Sequence, residues 1–285
     1  MRYEDRALCF SCGDEPLYGV LSMPQHPLPR AVVIVVGGPQ YRAGSHRQFT
    51  LIARGLAMHG IPVLRFDYRG MGDSGGDTRT FENVGEDIHT AVDCLLREAP
   101  FVQEVVLWGL CDGASAALFY AHRDARISGL VLVNPWVRTD AGAAQTYLKH
   151  YYRNRFLDAA LWKKIGRGEF DYTLALQSFG RLVRSALQGR ARAATGDVLP
   201  LPDRMLDGLR RFQGSVLVVL SGDDLTAREF SDLMRASAGW RRQMHSSRVQ
   251  RFELRGANHT FSRREWREQL LQRMREWLGI DEAMS

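Results

Sequence analysis

Nowhere is this 285-residue chain apolar for the roughly 20 residues that a bilayer-crossing helix needs, which excludes a helical membrane span. Its opening residues, MRYEDRALCF, carry acids early and no long apolar core, so no secretory signal is expected and a cytoplasmic location is. Cysteine is scarce, with only Cys9, Cys12, Cys94 and Cys111. Cys9 and Cys12 make a lone C-x-x-C. A zinc site there would have to recruit His26 or His46, and a redox pair would want a helix where the pattern reads strand then turn. Both are expected to be structural or inert, Cys94 to be core, and no metal or cofactor is expected. A nucleic-acid signature is also missing. The net charge is +6, with arginine concentrated over residues 138–192 and 240–264, but the charges are scattered and no aromatic platform is interleaved with them. They read as solvated surface, or as a preference for an anionic substrate or acidic partner, and not as a nucleic-acid site. There is no internal repeat.

What is present is an alternation of strands and helices. Arg6–Ser11 and Leu17–Met23 read as a hairpin around Cys12–Pro16. Ala31–Val36 is a continuous apolar run, as expected of a strand buried on both faces. A helix over His46–His59, a strand over Ile61–Phe66 and a helix over Val84–Arg97 follow. Glu104–Trp108 and Ile127–Val133 are strands, with a helix over Ala114–His122 between them. The alternation stops between Thr139 and Gln213. Helical patterns occupy Ala143–Arg153, Phe156–Ile165, Tyr172–Ser185 and Leu201–Arg211. It resumes with a strand at Ser215–Leu220, a helix over Asp223–Gly239, a strand at Arg248–Leu254 and an amphipathic helix at Arg263–Leu278 carrying Trp266, Leu270, Leu271, Met274 and Trp277 inward. Such an order means a mainly parallel sheet covered on both faces. The expected division is a core over residues 1–138, a helical lid over 139–213 and the rest of the core over 214–285.

Cys111 lies in Gly109-Leu110-Cys111-Asp112-Gly113, between an apolar strand and a helix rich in small residues. This is the G-x-S-x-G nucleophile elbow with cysteine in place of serine. The glycines allow a tight turn, and a thiol held there points out at the carboxyl end of a strand. The plain alternative, a buried cysteine at a strand end, is common for free cysteines. Two further strand ends argue against it. Ser215–Leu220 runs into Ser221-Gly222-Asp223-Asp224, and Arg248–Leu254 runs into a glycine-bearing loop with His259. Nucleophile, acid and histidine then occur in the order of a hydrolase triad.

Asp223 and Asp224 are adjacent, so one can face the histidine while the other caps the next helix. Asp224 is preferred as the acid and Asp223 as the cap. His259 would take the thiol proton, the thiolate would attack a carbonyl carbon, and an acyl-enzyme would form. The oxyanion needs backbone donors. One is the Asp112 N–H. The other comes from the loop after the third strand, where Pro39 has no N–H, leaving Gly38 or Gln40, with Gln40 preferred. Trp136, Tyr147, His46 and Arg47 are candidate pocket residues. For Tyr147 and the other aromatics of the 139–213 segment the alternative is packing against the core, and His46 could simply sit beside an N-cap at Ser45.

With these residues placed, the chain resembles the α/β-hydrolase superfamily over nearly its whole length. FDYRGMGDSG at Phe66–Gly75 is similar to the D-x-R-G-x-G-x-S loop of many such enzymes. GGPQYRAGSHRQF at Gly37–Phe49, SGDDLTAREF at Ser221–Phe230 and the cysteine at the elbow resemble the exosortase A system-associated hydrolases, type 1. The resemblance implies an α/β-hydrolase fold, a mainly parallel central sheet with helices on both faces and a helical lid insertion. It also implies a cytoplasmic acyl hydrolase or acyltransferase of an exopolysaccharide-linked system, with the substrate unassigned; a small-molecule or carrier-linked acyl group is expected from the basic balance of the 139–213 segment. It leaves homo-oligomer formation open.

Overall fold

The computed structural model describes residues 2–38, 40–137 and 199–280. One compact unit comprises Met1–Trp136 and Met205–Ser285, and a second comprises Val137–Arg204. Of the expected helical segment, the parts at Ala143–Arg153, Phe156–Ile165 and Tyr172–Ser185 lie outside the described residues, as does Tyr147. The helix at Leu201–Arg211 is present with those bounds.

The first unit is built on one eight-stranded sheet. Its strands are β1 (Tyr3–Cys12), β2 (Glu15–Pro24), β3 (Arg30–Val35), β4 (Val63–Asp67), β5 (Glu104–Leu110), β6 (Ile127–Val133), β7 (Ser215–Ser221) and β8 (Val249–Leu254), in the order β1-β2-β4-β3-β5-β6-β7-β8. β1 pairs antiparallel with β2, and β2 antiparallel with β4; every other pairing is parallel. This is the α/β-hydrolase fold. The central strands are apolar along their length because helices cover both faces: Val32–Val35, Val105–Trp108 and Leu130–Val133 are fully or almost fully buried.

The first two strands are longer than the sequence suggests. Cys12 pairs with Glu15, so the turn is only Gly13-Asp14, with Gly13 at φ 61°, and the ladder runs the whole way from Tyr3–Pro24 to Cys12–Glu15. Cys9 is exposed and Cys12 buried. An odd spacing along a strand puts them on opposite faces, so they cannot share a metal or a disulfide.

Helix α1 (Gln48–Ala57) starts later than expected, because His46 and Arg47 both adopt left-handed backbone conformations, at φ 51° and 58°. Ser45 is no cap; Arg47 occupies the N-cap position with no side-chain cap bond. α2 (Gly85–Glu98) and α3 (Asp112–Ala121) follow the expected pattern. The helix expected over Asp223–Gly239 is two helices, Leu225–Ala236 and Ala238–Met244, broken at Ser237, whose Oγ accepts from the Trp240 N–H at 3.4 Å. In the last helix, Arg264–Leu278, the fully packed face is Leu270, Met274 and Leu278, while Trp266, Leu271 and Trp277 are half-buried on its flanks.

Candidate active site

β3, β5, β7 and β8 all run parallel, so the loops that follow them open at one edge of the sheet. Those loops carry Gly37–Gln40, Cys111, Asp224 and His259. The carboxyl edge of a parallel sheet is where α/β proteins place their ligands.

Cys111 closes β5 and precedes the first turn of α3 at φ 60° and ψ −125°, a conformation costly for a residue with a side chain. It is held at both ends: its N–H donates to the Val133 carbonyl at 2.9 Å, and its carbonyl accepts from the Trp136 N–H at 3.1 Å. The flanking glycines are steric necessities. A Cβ on Gly109 would come within 2.4 Å of the Gly113 backbone, and one on Gly113 within 2.5 Å of the Val35 carbonyl oxygen. The thiol is half-buried at the amino end of α3, where the helix dipole favours a negative charge.

Asp224 and His259 meet. His259 Nδ1 lies 3.0 Å from Asp224 Oδ2, and the carboxylate is nearly buried. The same oxygen accepts from the Ala227 N–H at 3.0 Å, so Asp224 is also the N-cap of Leu225–Ala236. The expectation that Asp223 would cap is therefore corrected. Asp223 points outward and pairs with Arg228 at 3.3 Å. Burial would lower the His259 imidazolium's pKa, but hydrogen bonds and charge from Asp224 and Cys111 outweigh it and push it up to about 10. With Nδ1 committed to Asp224, Nε2 is the nitrogen left for the thiol.

Around the elbow the oxyanion candidates are more crowded than expected. The Asp112 side chain folds back beneath the loop after β3. Its Oδ1 is buried without a hydrogen-bond partner and lies where a Cβ on Gly37 would come within 2.3 Å of it. Burial pushes the Asp112 carboxyl's pKa up, against the amides of Gly38, Gly113 and Asp112 itself, which pull it down. Two of the nominated donors, Gly38 and Asp112, thus face a carboxyl group in this state. Gln40 turns its side chain inward, where Oε1 accepts from the Ser45 N–H at 3.2 Å and from Gln48 Nε2 at 3.4 Å.

The loop after β3 is tied to β4 by Arg42. Its N–H donates to Asp67 Oδ1 at 2.6 Å, and its guanidinium pairs with Asp67 and, at 2.6 Å, with Asp73. Arg69 is anchored to Asp87 and Glu86, and Ser74 Oγ donates to the Asp67 carbonyl at 2.6 Å. The glycine-rich segment after β4 is therefore a brace beneath the site. His46 and Arg47 are exposed beyond that loop, and Trp136 is half-buried directly after the elbow's partner strand. No cluster of potential metal ligands occurs among the described residues.

Sequence reasoning did not find Asp112's carboxyl, the Arg42–Asp67 tie or Asn134. The signal for Asn134 was available. It is a polar residue closing an apolar strand, and it sits fully buried at φ 46°.

The sequence profile of the family described as serine aminopeptidase, S33 matches residues 27–171. Two curated proteins match shorter stretches. A polyketide transferase of a Penicillium species is 36% identical over 91 residues, 30% of this chain and 31% of that protein. A monoglyceride lipase of Mus musculus is 28% identical over 121 residues, 41% of this chain and 39% of that protein. The chain thus spans about a third of the length of the curated relatives it matches. Among solved structures, an esterase of Pyrococcus furiosus superposes with a TM-score of 0.64 at 18% identity, covering 98% of this chain and 92% of that one, which is a likeness of fold. By the extent of the profile match, the chain belongs to the serine aminopeptidase S33 family of α/β-hydrolases, and it carries cysteine at the elbow where the family's name points to serine.

Proposed function

We propose that this chain is an acyl hydrolase, an esterase or thioesterase, that works through a thiol-bound acyl-enzyme. Cys111 is the nucleophile, His259 the base and Asp224 the orienting acid. The observation that carries this reading is a cysteine held at φ 60° on a strand-to-helix elbow, paired with an imidazole whose other nitrogen lies 3.0 Å from a buried carboxylate. His259 Nε2 takes the thiol proton as the sulfur attacks, and the imidazolium that forms is favoured by the neighbouring Asp224 carboxylate. The thiolate attacks the carbonyl carbon and a C–S bond forms. The oxyanion is met by the Asp112 N–H and by Gly38 or Gln40, once the Asp112 carboxyl has turned away from the Gly38 and Asp112 amides it faces. Collapse breaks the bond to the leaving group, which takes the proton from His259. Water, activated by the same histidine, then cleaves the thioester.

A second reading is favoured by the likeness to a polyketide transferase. The same acyl-enzyme would pass its acyl group to a sugar or another acceptor instead of water. The resemblance to exosortase-associated hydrolases would place that acceptor in exopolysaccharide assembly in the cytoplasm. Trp136, His46, Arg47 and Tyr147 are proposed to line the acyl pocket, and residues 139–213 to form a substrate-selecting lid, on the sequence pattern alone.

Turnover of p-nitrophenyl butyrate tests the assignment. Cys111→Ala and His259→Ala should each lose roughly 10³-fold or more in kcat, and Cys111→Ser should keep a weak residue of activity. Undiminished turnover by Cys111→Ala would contradict it. Acyl release accelerated by added sugar acceptors would favour the transferase reading.

A further inference from the structure

The segment that closes β6 touches Cys111 and the His259 backbone directly and reaches the Asp224 loop through Ser221. Val133 accepts the Cys111 N–H at 2.9 Å and Trp136 donates to the Cys111 carbonyl at 3.1 Å, so this stretch brackets the elbow. Between them stands Asn134, with no exposed surface and in the left-handed region at φ 46°. Its Oδ1 accepts from the Ser221 N–H at 2.8 Å. A backbone N–H can only donate, which settles the orientation of the amide. Nδ2 then donates to Ser221 Oγ at 2.9 Å and reaches the His259 carbonyl at 3.5 Å. Ser221 Oγ in turn donates to the Asn258 carbonyl at 3.1 Å. Ser221 lies three residues before Asp224, and Asn258 immediately before His259.

We propose that Asn134 is a positioning residue whose buried amide holds the Asp224 and His259 loops in register with the backbone that carries Cys111. This rests on reading those three residues as the catalytic set. Sheet packing does not call for such a residue. Val131, Leu132 and Val133 before it are apolar and buried, so side-chain packing alone would be met by an apolar residue, at the cost of leaving the buried Ser221 N–H without its acceptor. Instead the site retains a buried amide in a strained conformation with its hydrogen-bonding capacity used, and each bond leads to a loop bearing a triad member. The contact between Nδ1 and Asp224 depends on the height of the His259 backbone, and the Asn134 bridge holds that height together with the direct bond from the Asp223 N–H to the Ala257 carbonyl at 2.9 Å. The chemistry is sensitive to such spacing, since a misplacement of about 1 Å can cost a hundredfold in rate.

The test compares full-length wild type, Asn134→Gly, Ser221→Ala and His259→Ala. Glycine removes the amide while accepting the positive φ, so it separates the side chain from the backbone strain. Two quantities are followed: the rate of Cys111 alkylation by iodoacetamide as a function of pH, mapped by peptide mass, and kcat and KM for p-nitrophenyl butyrate. Asn134→Gly should lose roughly tenfold or more in kcat with KM within about twofold, and its alkylation profile should move toward that of His259→Ala. Ser221→Ala, which leaves the Asn134 Oδ1 bond and the backbone intact, should shift in the same direction by about threefold or more. A folded Asn134→Gly with the wild-type alkylation profile and kcat would overturn the proposal; if that variant does not fold, a Ser221→Ala indistinguishable from wild type would do so. Should wild type and His259→Ala alkylate alike, the triad reading itself falls, and this inference with it. That outcome is recognisable before the Asn134 variants are considered.

Discussion

Asp224 makes two contacts through one oxygen. Oδ2 accepts from the Ala227 N–H and from His259 Nδ1, both at 3.0 Å. Adjacent aspartates invite a division of labour between cap and histidine partner, and in the structure one of them makes both contacts. The consequence for mutants is specific. Asparagine at 224 can still cap through its side-chain oxygen but no longer offers a carboxylate, so Asp224→Asn should fold normally and be slow, with a loss of up to about 10⁴ in kcat by analogy with the aspartate of the serine-protease triad. Asp224→Ala should add a stability loss of about 1 kcal/mol for the missing cap. Asp223→Asn removes only an exposed pair with Arg228 and should match wild type in both kcat and melting temperature. Asp112 behaves in the opposite sense. Its folded-state pKa is raised, chiefly by burial. The protonated form therefore favours the fold, and that contribution is lost as pH rises through the raised value. Asp112→Asn should melt higher than wild type at pH 7 to 8, with the difference shrinking on acidification below the ordinary carboxylate range. A stability difference that grows on acidification would contradict the account of Asp112.

At the level of elements, the elbow is a steric device before it is a chemical one. β5, α3 and the loop after β3 approach so closely that Gly109 and Gly113 leave no room for a methyl group. Gly109→Ala should cost about 3 kcal/mol in denaturant unfolding, since the atoms it would strike are backbone and cannot move aside singly. Much of this was legible in the chain. Apolar runs bounded by glycine mark β3, β5, β6 and β7, because strands buried on both faces have no polar side to blur the pattern. The order of cysteine, acid and histidine at three strand ends was legible for the same reason. What was not legible depended on tertiary pairing or on backbone conformation. The hairpin strands run longer because the Gly13-Asp14 turn lets the ladder continue. α1 starts late because His46 and Arg47 are left-handed, a choice that no helical periodicity announces. Ser237 breaks a helix that its apolar spacing alone would continue. Asn134 is the clearest case: polarity at a strand end looks like a loop signal, and only the fold brings Ser221 and His259 to its amide.

At the level of the whole molecule, the parallel sheet brings residues 111, 224 and 259 to one edge although long stretches of chain separate them. The antiparallel β1–β2 hairpin adds two strands at the far end of the sheet and supplies none of the three residues. No helix among the described residues is long and apolar enough to cross a membrane. The family's name specifies serine and the elbow holds cysteine, so the central claim concerns which atom takes the acyl group. The direct measurement is a peptide mass map of the full chain quenched in acid during turnover of p-nitrophenyl butyrate. The account predicts a butyryl mass on the peptide containing Cys111, released by hydroxylamine, increased in His259→Ala only on long exposure, and absent in Cys111→Ala. A butyryl group found on any other residue, with Cys111 unmodified and turnover intact, would contradict it.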